Sequence, residues 1–461
     1  MGRPMMDTQA AARAVAGRMV GQSVAFLRVT TDSREARFGD LFVALKGESF
    51  DGHDFVPAAL AQGAAAALVA AEWQPDFAGN FVAVADPLAA LGRLALHWRN
   101  RFDLPLTVVV GSNGKTTVKE MLAASLRAQF GDDAVLATRG NFNNAVGLPL
   151  TLLRLRTGHR AAVIELGINH RGETRDLVAI ARPTIVLVNN AQREHQEFMT
   201  TVADVAAEHA DAVAALPDAG IAIVNADDDF AATWIAAADA AGARVITFGL
   251  DRVADVRGRA TLREDGSDID ITLPTGRIDV ALQVPGMHMV RNALAAAAAA
   301  VAAGAVPAAI RSGLLAFRPA PGRLVAIRAT SGARVLDDSY NANPDSMRAA
   351  IDVLATASGT RVLVMGDMGE VGIEGPAFHR EIGAYARARG IDRLLATGEL
   401  ARETVAAFGA DAEHWPDVES LAARARDAAG ADVAILVKGS RFMRMERVVA
   451  ALTDHGVAGV H

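Results

Sequence analysis

Val108–Val109–Val110–Gly111–Ser112–Asn113–Gly114–Lys115–Thr116–Thr117 is an apolar β-branched run that stops at two glycines bracketing Ser-Asn and resumes as Lys-Thr-Thr. Beyond it, Val118, Met121, Leu122 and Leu126 recur at helical spacing. The pattern predicts a strand, a tight loop and a helix. Glycines let the backbone turn its N–H groups inward around an anion. The helix start adds free N–H groups and the positive end of a dipole. Lys115 has the reach for terminal phosphates, and the Thr116 hydroxyl suits Mg²⁺. The loop is shorter than the usual phosphate loop, since Val109 rather than glycine stands five positions before Gly114. A plain glycine turn would give no reason for Lys-Thr to follow. Gly111, Ser112, Asn113, Gly114, Lys115, Thr116 and Thr117 are therefore read as a phosphate-binding stretch, with a glycine turn that holds no phosphate as the alternative.

Around this centre the chain has 461 residues, enough for about three domains at ~150 residues each. With 51% apolar and 21% charged residues it can bury large cores. Lys and Arg number 46 against 53 Asp and Glu, so the basic footprint of a nucleic-acid binder is missing. Without cysteine, disulfides and thiol catalysis are excluded. No run of ~18 strongly apolar residues is present to span a bilayer, and the first ten residues lack a signal-peptide core. A soluble, cytoplasmic, monomeric α/β protein is expected.

Residues 1–100 read as a first unit. It carries Thr31–Asp32–Ser33–Arg34 and Gly39–Asp40–Leu41–Phe42, followed by Lys46. Ser33 and Arg34 suit a diphosphate, which Arg binds in a bidentate manner; the same residues also suit a surface turn closed by an ion pair. Residues 101–320 read as a second unit of alternating strands and helices. Candidate strands 106–110, 161–164, 185–188, 221–224 and 245–248 are short apolar runs, as in a parallel sheet covered on both faces. Several end in polar residues, Glu165, Asn189, Asn190 and Asn225, which would share an edge with the phosphate loop. Thr138, Asn141, Asn143 and Asn144 lie in one polar loop, able to hold sugar or amide groups or simply to form Asx-turns. Glu165 and His195 are candidate metal ligands. The polar, alternating stretch 251–284 predicts a small antiparallel insertion. The alanine-rich helix after Pro285 is most simply core packing, though Asn292 near its start could face a base.

Arg318–Pro319–Ala320–Pro321–Gly322–Arg323 is a linker punctuated by proline and glycine. The third unit, 321–461, alternates candidate strands 334–336, 362–365, 394–396 and 433–437 with helices, as in a Rossmann-like sheet. Three of these strands run into polar loops, 337–344, 366–370 and 438–441. Three such loops on one sheet edge indicate a ligand site.

Together these stretches resemble the Mur ligases of peptidoglycan synthesis over essentially the whole chain. The residues concerned are Gly111–Thr117, Thr138–Asn144, Glu165, His195, Asn292, Gly322–Arg323 and Asp338–Ser339–Tyr340–Asn341–Ala342–Asn343–Pro344. The Asp-Asn-Pro-Arg type motif of the member that adds diaminopimelate is absent. The resemblance implies an α/β protein of three domains: a small N-terminal domain holding a UDP-sugar peptide, a central parallel-sheet ATPase domain and a C-terminal Rossmann-like domain closing over both. It implies ATP-dependent ligation of D-alanyl-D-alanine to a UDP-N-acetylmuramoyl-tripeptide through an acyl phosphate, with Mg²⁺. By matching position, Ser33, Arg34 and Lys46 would hold the UDP-sugar, and Thr138, Asn141, Asn143 and Asn144 the rest of the substrate. Lys115, Glu165, His195, Arg323 and Asp338 would be catalytic, and Gly111, Ser112, Asn113, Gly114, Lys115, Thr116 and Thr117 would bind ATP, with Asn292, Arg323, Asp338 and Asn341 also reaching it. Thr116, Glu165 and His195 would take Mg²⁺.

The chain departs from the family pattern at His209, where a carbamate-forming lysine is expected. Either His209 itself binds a second Mg²⁺ or a bound water, or, as the spacing of Val205, Ala206, Ala210 and Val213 favours, it sits on the edge of an amphipathic helix. Competing readings are a sister amino-acid ligase, a folylpolyglutamate synthase-like enzyme and a nucleotide-hydrolysing switch protein.

Overall fold

The computed structural model describes residues 3–453. Three large sheets follow one another along the chain, with five, nine and six strands. The first lies within residues 18–84, in the order Arg18–Val20, Phe81–Val84, Ala66–Ala70, Asp40–Val43, Arg28–Thr30. All neighbours in it are parallel except Arg18–Val20. Its strands Ala66–Ala70 and Phe81–Val84 are buried throughout. They lie in a stretch whose alanine content reads as helical. Burial on both faces, rather than propensity, decides such runs.

The nine-stranded sheet runs Gly276–Leu282, Ser267–Leu273, Val256–Leu262, Arg244–Gly249, Ile221–Asn225, Ile185–Val188, Leu106–Val110, Ala161–Glu165, Val135–Ala137. Its seven strands from Val135–Ala137 to Val256–Leu262 pair in parallel, and the last two pairings are antiparallel. The predicted antiparallel insertion is present over residues 256–282 and is continuous with the main sheet. Val256 and Arg257 hydrogen-bond in parallel to Phe248 and Gly249, which joins it to the main sheet. Alternation along Ser267–Leu273, buried on every second residue, leaves one face for the core. The helix Met287–Ala302 covers that face. Ala293 to Ala300 are all buried, because alanine lets a helix lie close to strands and to a neighbouring helix at once. Helix Pro307–Ala316 approaches helix Lys115–Phe130 so closely that a Cβ at Gly313 would stand 2.3 Å from the Ser125 backbone.

The first and second units are joined by the helix Pro87–Arg99. Trp98 Nε1 donates to the Leu155 carbonyl (3.1 Å), and the Arg99 guanidinium donates to the carbonyls of Ala181, Phe102 and Arg182. The third sheet runs Val325–Arg328, Arg334–Asp338, Val433–Lys438, Thr360–Met365, Arg393–Thr397, Ala412–Trp415, parallel except at its first strand. Several predicted strands extend by a residue or more, so that Glu165, Asn225, Asp338 and Lys438 are the last residues of strands rather than loop residues. No described helix is long and apolar enough to cross a membrane.

Candidate active site

The phosphate-loop strand Leu106–Val110 sits between Ile185–Val188 and Ala161–Glu165, so the loop opens at the carboxyl edge of the sheet. Gly114 has a φ of +81°, and a Cβ there would lie 2.5 Å from Asn292 Oδ1. Only glycine meets both demands. Asn292 thus packs behind the loop, bonded to Asn189 Nδ2 (3.0 Å), and does not line the cleft expected to take the base. Gly111 and Thr117 are likewise structural here: a Cβ on Gly111 would meet Asn189 at 2.9 Å, and Thr117 is buried.

In front of the loop is a cleft of about 960 Å³. The structure brings Ser112, Asn113, Gly114, Lys115, Thr116, Asn141, Asn143, Asn144, Glu165, His195, Arg323 and Asn341 to its walls. It does not bring Ser33, Arg34 or Lys46 there. Ser33 and Arg34 lie on a short 3₁₀ turn in the first unit, where Arg34 pairs with Asp32 at 2.7 Å and its side chain is 87% exposed; Lys46 is exposed. The ion-paired surface turn is thus the geometry seen.

Lys115 Nζ donates to the carbonyls of Gly111 (2.6 Å) and Ser112 (3.1 Å) and to Glu194 Oε1 (3.2 Å). Burial alone would raise the Glu194 carboxyl, but Lys115 and His195 together hold it below the ordinary carboxylate value. Glu194 lies next to His195 in sequence yet carries no signal of its own, because nothing in a single chain shows which acid faces the loop lysine.

Glu165, the last residue of its strand, is buried. Its backbone N–H donates to Thr138 Oγ1 (3.0 Å), and its Oε1 accepts from Asn143 Nδ2 (3.0 Å). Its Oε2 is buried and has no partner among the described residues. Thr138 therefore positions Glu165 rather than lining the main cleft, and Asn144 Oδ1 accepts from the Val146 and Gly147 backbone N–H groups in the turn before helix Gly147–Leu152. An unsatisfied buried carboxylate oxygen facing a phosphate loop, with the Thr116 hydroxyl, is a donor set for a hard divalent cation. Among the described residues no three His, Cys, Asp or Glu side chains are placed to hold a metal by themselves. A cation here would draw its other oxygens from a bound triphosphate and water.

His195 lines the cleft with a φ of +52°. Its Nε2 stands 3.3 Å from Glu194 Oε1. Its Nδ1 stands 2.5 Å from Glu370 Oε2, a charge contact without hydrogen-bond alignment. Burial favours the neutral ring, yet Glu194 and Glu370 outweigh it and raise the pKa to about 9. His195 is thus an ion-pair partner of Glu370 across the two units.

His209 is not on a helix edge. It is wholly buried in Val202–Ala214, behind the phosphate loop, with both ring nitrogens unpartnered among the described residues. Burial first, then Lys115, push its pKa down to about 3. A neutral ring with two unmet nitrogens costs ~1–3 kcal/mol. His209→Leu should therefore melt no lower than wild type and keep kcat within about threefold, independent of bicarbonate. Loss of activity with ATP still bound would instead give His209 a role at the metal.

The third unit closes the cleft. Asn343 caps helix Pro344–Ala355 and its Nδ2 donates to Asn113 Oδ1 (2.9 Å), tying that helix to the phosphate loop. Arg323 Nη2 lies 3.5 Å from Thr116 Oγ1, and its guanidinium stacks 4.1 Å from the Tyr340 ring centre. Asp338 does not line the cleft; its Oδ2 accepts from Lys438 Nζ at 2.5 Å, and Lys438, which also donates to the Asn341 carbonyl, lines it instead. Lys438 and Glu370 fall in loops that the sequence marks as polar strand ends. Arg193 carries no signal in the sequence. It bonds both Asp345 and Glu381, each at 2.6 Å, and so clamps the second unit to the third. Partly exposed pairs contribute up to ~1 kcal/mol each. Arg193→Ala should thus loosen the contact by roughly tenfold, seen as a larger radius of gyration by small-angle scattering; an unchanged radius would refute it.

Known proteins share this architecture. Residues 26–99 match the model described as Mur ligase family, catalytic domain; 109–300 match the Mur ligase middle domain; 322–441 match the Mur ligase, glutamate ligase domain. The UDP-N-acetylmuramoyl-tripeptide–D-alanyl-D-alanine ligase of Escherichia coli (strain K12) is 42% identical over 445 residues, 95% of this chain and 96% of that protein. The structure of UDP-N-acetylmuramoylalanyl-D-glutamyl-2,6-diaminopimelate–D-alanyl-D-alanyl ligase from Acinetobacter baumannii superposes with a TM-score of 0.86 at 33% identity, covering 98% of this chain and 99% of the other. The MurF ligase of Thermotoga maritima in complex with ADP gives 0.81 at 26% identity, over 92% and 96%.

Proposed function

Since this chain belongs to the Mur ligase family, we infer that its cleft is where ATP, a UDP-N-acetylmuramoyl-tripeptide and D-alanyl-D-alanine meet. The enzyme is an ATP-dependent ligase that joins D-alanyl-D-alanine to the tripeptide in peptidoglycan synthesis. The observation that supports the site is the meeting of the phosphate loop with Lys438, Arg323 and Asn343 across one cleft.

A carboxylate oxygen of the peptide attacks the γ-phosphorus of ATP, the bond to ADP breaks, and an acyl phosphate results. The amine of D-alanyl-D-alanine then adds to the acyl carbon. The tetrahedral intermediate expels phosphate and loses its amine proton, leaving the amide. Lys115 swings from its own loop carbonyls to the transferring phosphoryl, whose spread charge it offsets. Arg323 approaches the same group from the third unit, and Lys438, buried and cationic, faces the cleft beside it. Thr116 and Glu165 would hold Mg²⁺, which when bound supplies charge compensation on the phosphates. Closing the units around the substrates supplies proximity and keeps water from the acyl phosphate.

We further assign Ser33, Arg34 and Lys46 to the UDP moiety. Arg34 is exposed enough to exchange Asp32 for a phosphate. The units are taken as 1–100, 101–320 and 321–461, the enzyme as cytoplasmic and monomeric, and the third peptide residue as diaminopimelate, the residue named for the Acinetobacter ligase.

Phosphate release with ATP and UDP-tripeptide should depend on added D-alanyl-D-alanine, and the product should gain the dipeptide's mass less water. Turnover that ignores the dipeptide would describe a switch protein and reject the ligase.

A further inference from the structure

Beside the cleft is a second recess of about 370 Å³. It adjoins the cleft, sharing Glu120 and Gly140 as wall residues. Arg127, Arg139, Arg154 and His159 line it, and so do Asp132 and Asp133. Among the described residues none of the three guanidiniums makes a hydrogen bond or ion pair, and neither aspartate side chain does. Arg154 is half-buried, and burial together with the like charges of Arg139 and Arg156 pulls its pKa down. His159 Nδ1 accepts from the Arg156 backbone N–H (2.9 Å), so its neutral ring carries its proton on Nε2 as a further donor.

A half-buried guanidinium without a counter-charge is costly unless a ligand supplies one. Elsewhere in this chain buried or half-buried arginines find carboxylates, as Arg193, Arg28 and Arg424 do, or backbone carbonyls, as Arg99 and Arg156 do. A simple anion would meet the arginines but be repelled by Asp132 and Asp133. A zwitterion satisfies both sets at once. The free amino-acid end of a diaminopimelate side chain is such a group, and it lies a short aliphatic chain away from the carboxyl that reacts. The end of a lysine side chain offers only the ammonium.

We propose that this recess receives the distal amino-acid end of the peptide's third residue, carboxylate toward Arg139 and Arg154 and ammonium toward Asp132 and Asp133, and so selects diaminopimelate over lysine. The assignment rests on the ligase activity inferred above. It makes Arg154 a specificity residue: a site built to bind a polar group rejects the analogue lacking it.

The test compares kcat/KM of the full-length enzyme for two UDP-N-acetylmuramoyl-tripeptides that differ only in carrying diaminopimelate or lysine third. Wild type should prefer diaminopimelate. Arg154→Gln should lower kcat/KM for that substrate by about tenfold or more, and for the lysine substrate by less than about threefold. If Arg154→Gln fails to fold, as thermal melting would show, the exposed Arg139→Gln decides by the same ratio. A wild type without preference would overturn the proposal, as would equal losses on both substrates, the pattern expected if the arginines meet the UDP diphosphate. Inorganic pyrophosphate competing against the tripeptide in wild type but not in Arg154→Gln would also overturn it. If neither tripeptide gives product, the ligase activity falls first and this proposal with it.

Discussion

Lys115→Ala is expected to lower kcat by about 10²-fold or more, the largest single effect in this enzyme. The side chain is the cation nearest the phosphate loop, and Nζ already sits within hydrogen-bond reach of two loop carbonyls. Those bonds hold it over the loop, and on the proposed mechanism they would be given up for a phosphoryl group's full negative charge. Removing it deletes charge compensation that grows toward the transition state, so kcat should fall more than nucleotide affinity. Calorimetric titration with ADP separates the two. The substitution should also touch stability through Glu194. That carboxyl is held below its ordinary value, with Lys115 the strongest favourable neighbour. A depressed carboxylate contributes stability above its unfolded value and loses it as pH falls through the folded one. Lys115→Ala should therefore narrow the melting difference between neutral and acidic pH. A kcat within about threefold of wild type would show that the loop is not the ATP site.

The second large effect is expected at Glu165→Gln. The amide keeps the length of the side chain and can still accept from Asn143, so the packing around the strand end survives. What changes is Oε2, a buried oxygen with no partner among the described residues, which becomes a neutral group without a negative charge for a cation. If Thr116 and Glu165 hold Mg²⁺, kcat should drop by roughly 10²-fold and half-saturation should need more Mg²⁺. Thermal melting should not fall, because neutralising an unpaired buried carboxylate relieves desolvation. Wild-type activity with an unchanged Mg²⁺ titration would remove Glu165 from the metal site.

Local chemistry made the centre of this protein legible. The run Val108–Thr117 predicts strand, loop and helix because β-branched residues, two glycines and Lys-Thr each favour one conformation, and the structure has strand Leu106–Val110 and helix Lys115–Phe130 there. The apolar runs of the second and third units likewise predict strands, as buried parallel strands must be apolar on both faces. Polar strand ends mark the site edge because main-chain polarity and ligand access coincide there. The family is legible for the same reason, since its motifs are these strand ends.

Other features depended on contacts between residues far apart in sequence. Ala66–Ala70 is a strand through burial that its alanine content does not announce. The stretch 251–284 joins the main sheet because Val256 pairs with Phe248, a register set by the turn between them. Asn292 packs against Gly114, His195 pairs with Glu370, and Asp338 is held by Lys438. His209 lies buried although its neighbours' spacing puts it at a helix edge. Arg193 and the unpaired Arg154 carry no pattern at all. Composition and periodicity determine which faces are buried and which loops are polar; which partner a polar side chain meets is decided only when separate elements pack, because a charge's energy depends on what surrounds it and the local sequence does not specify those surroundings.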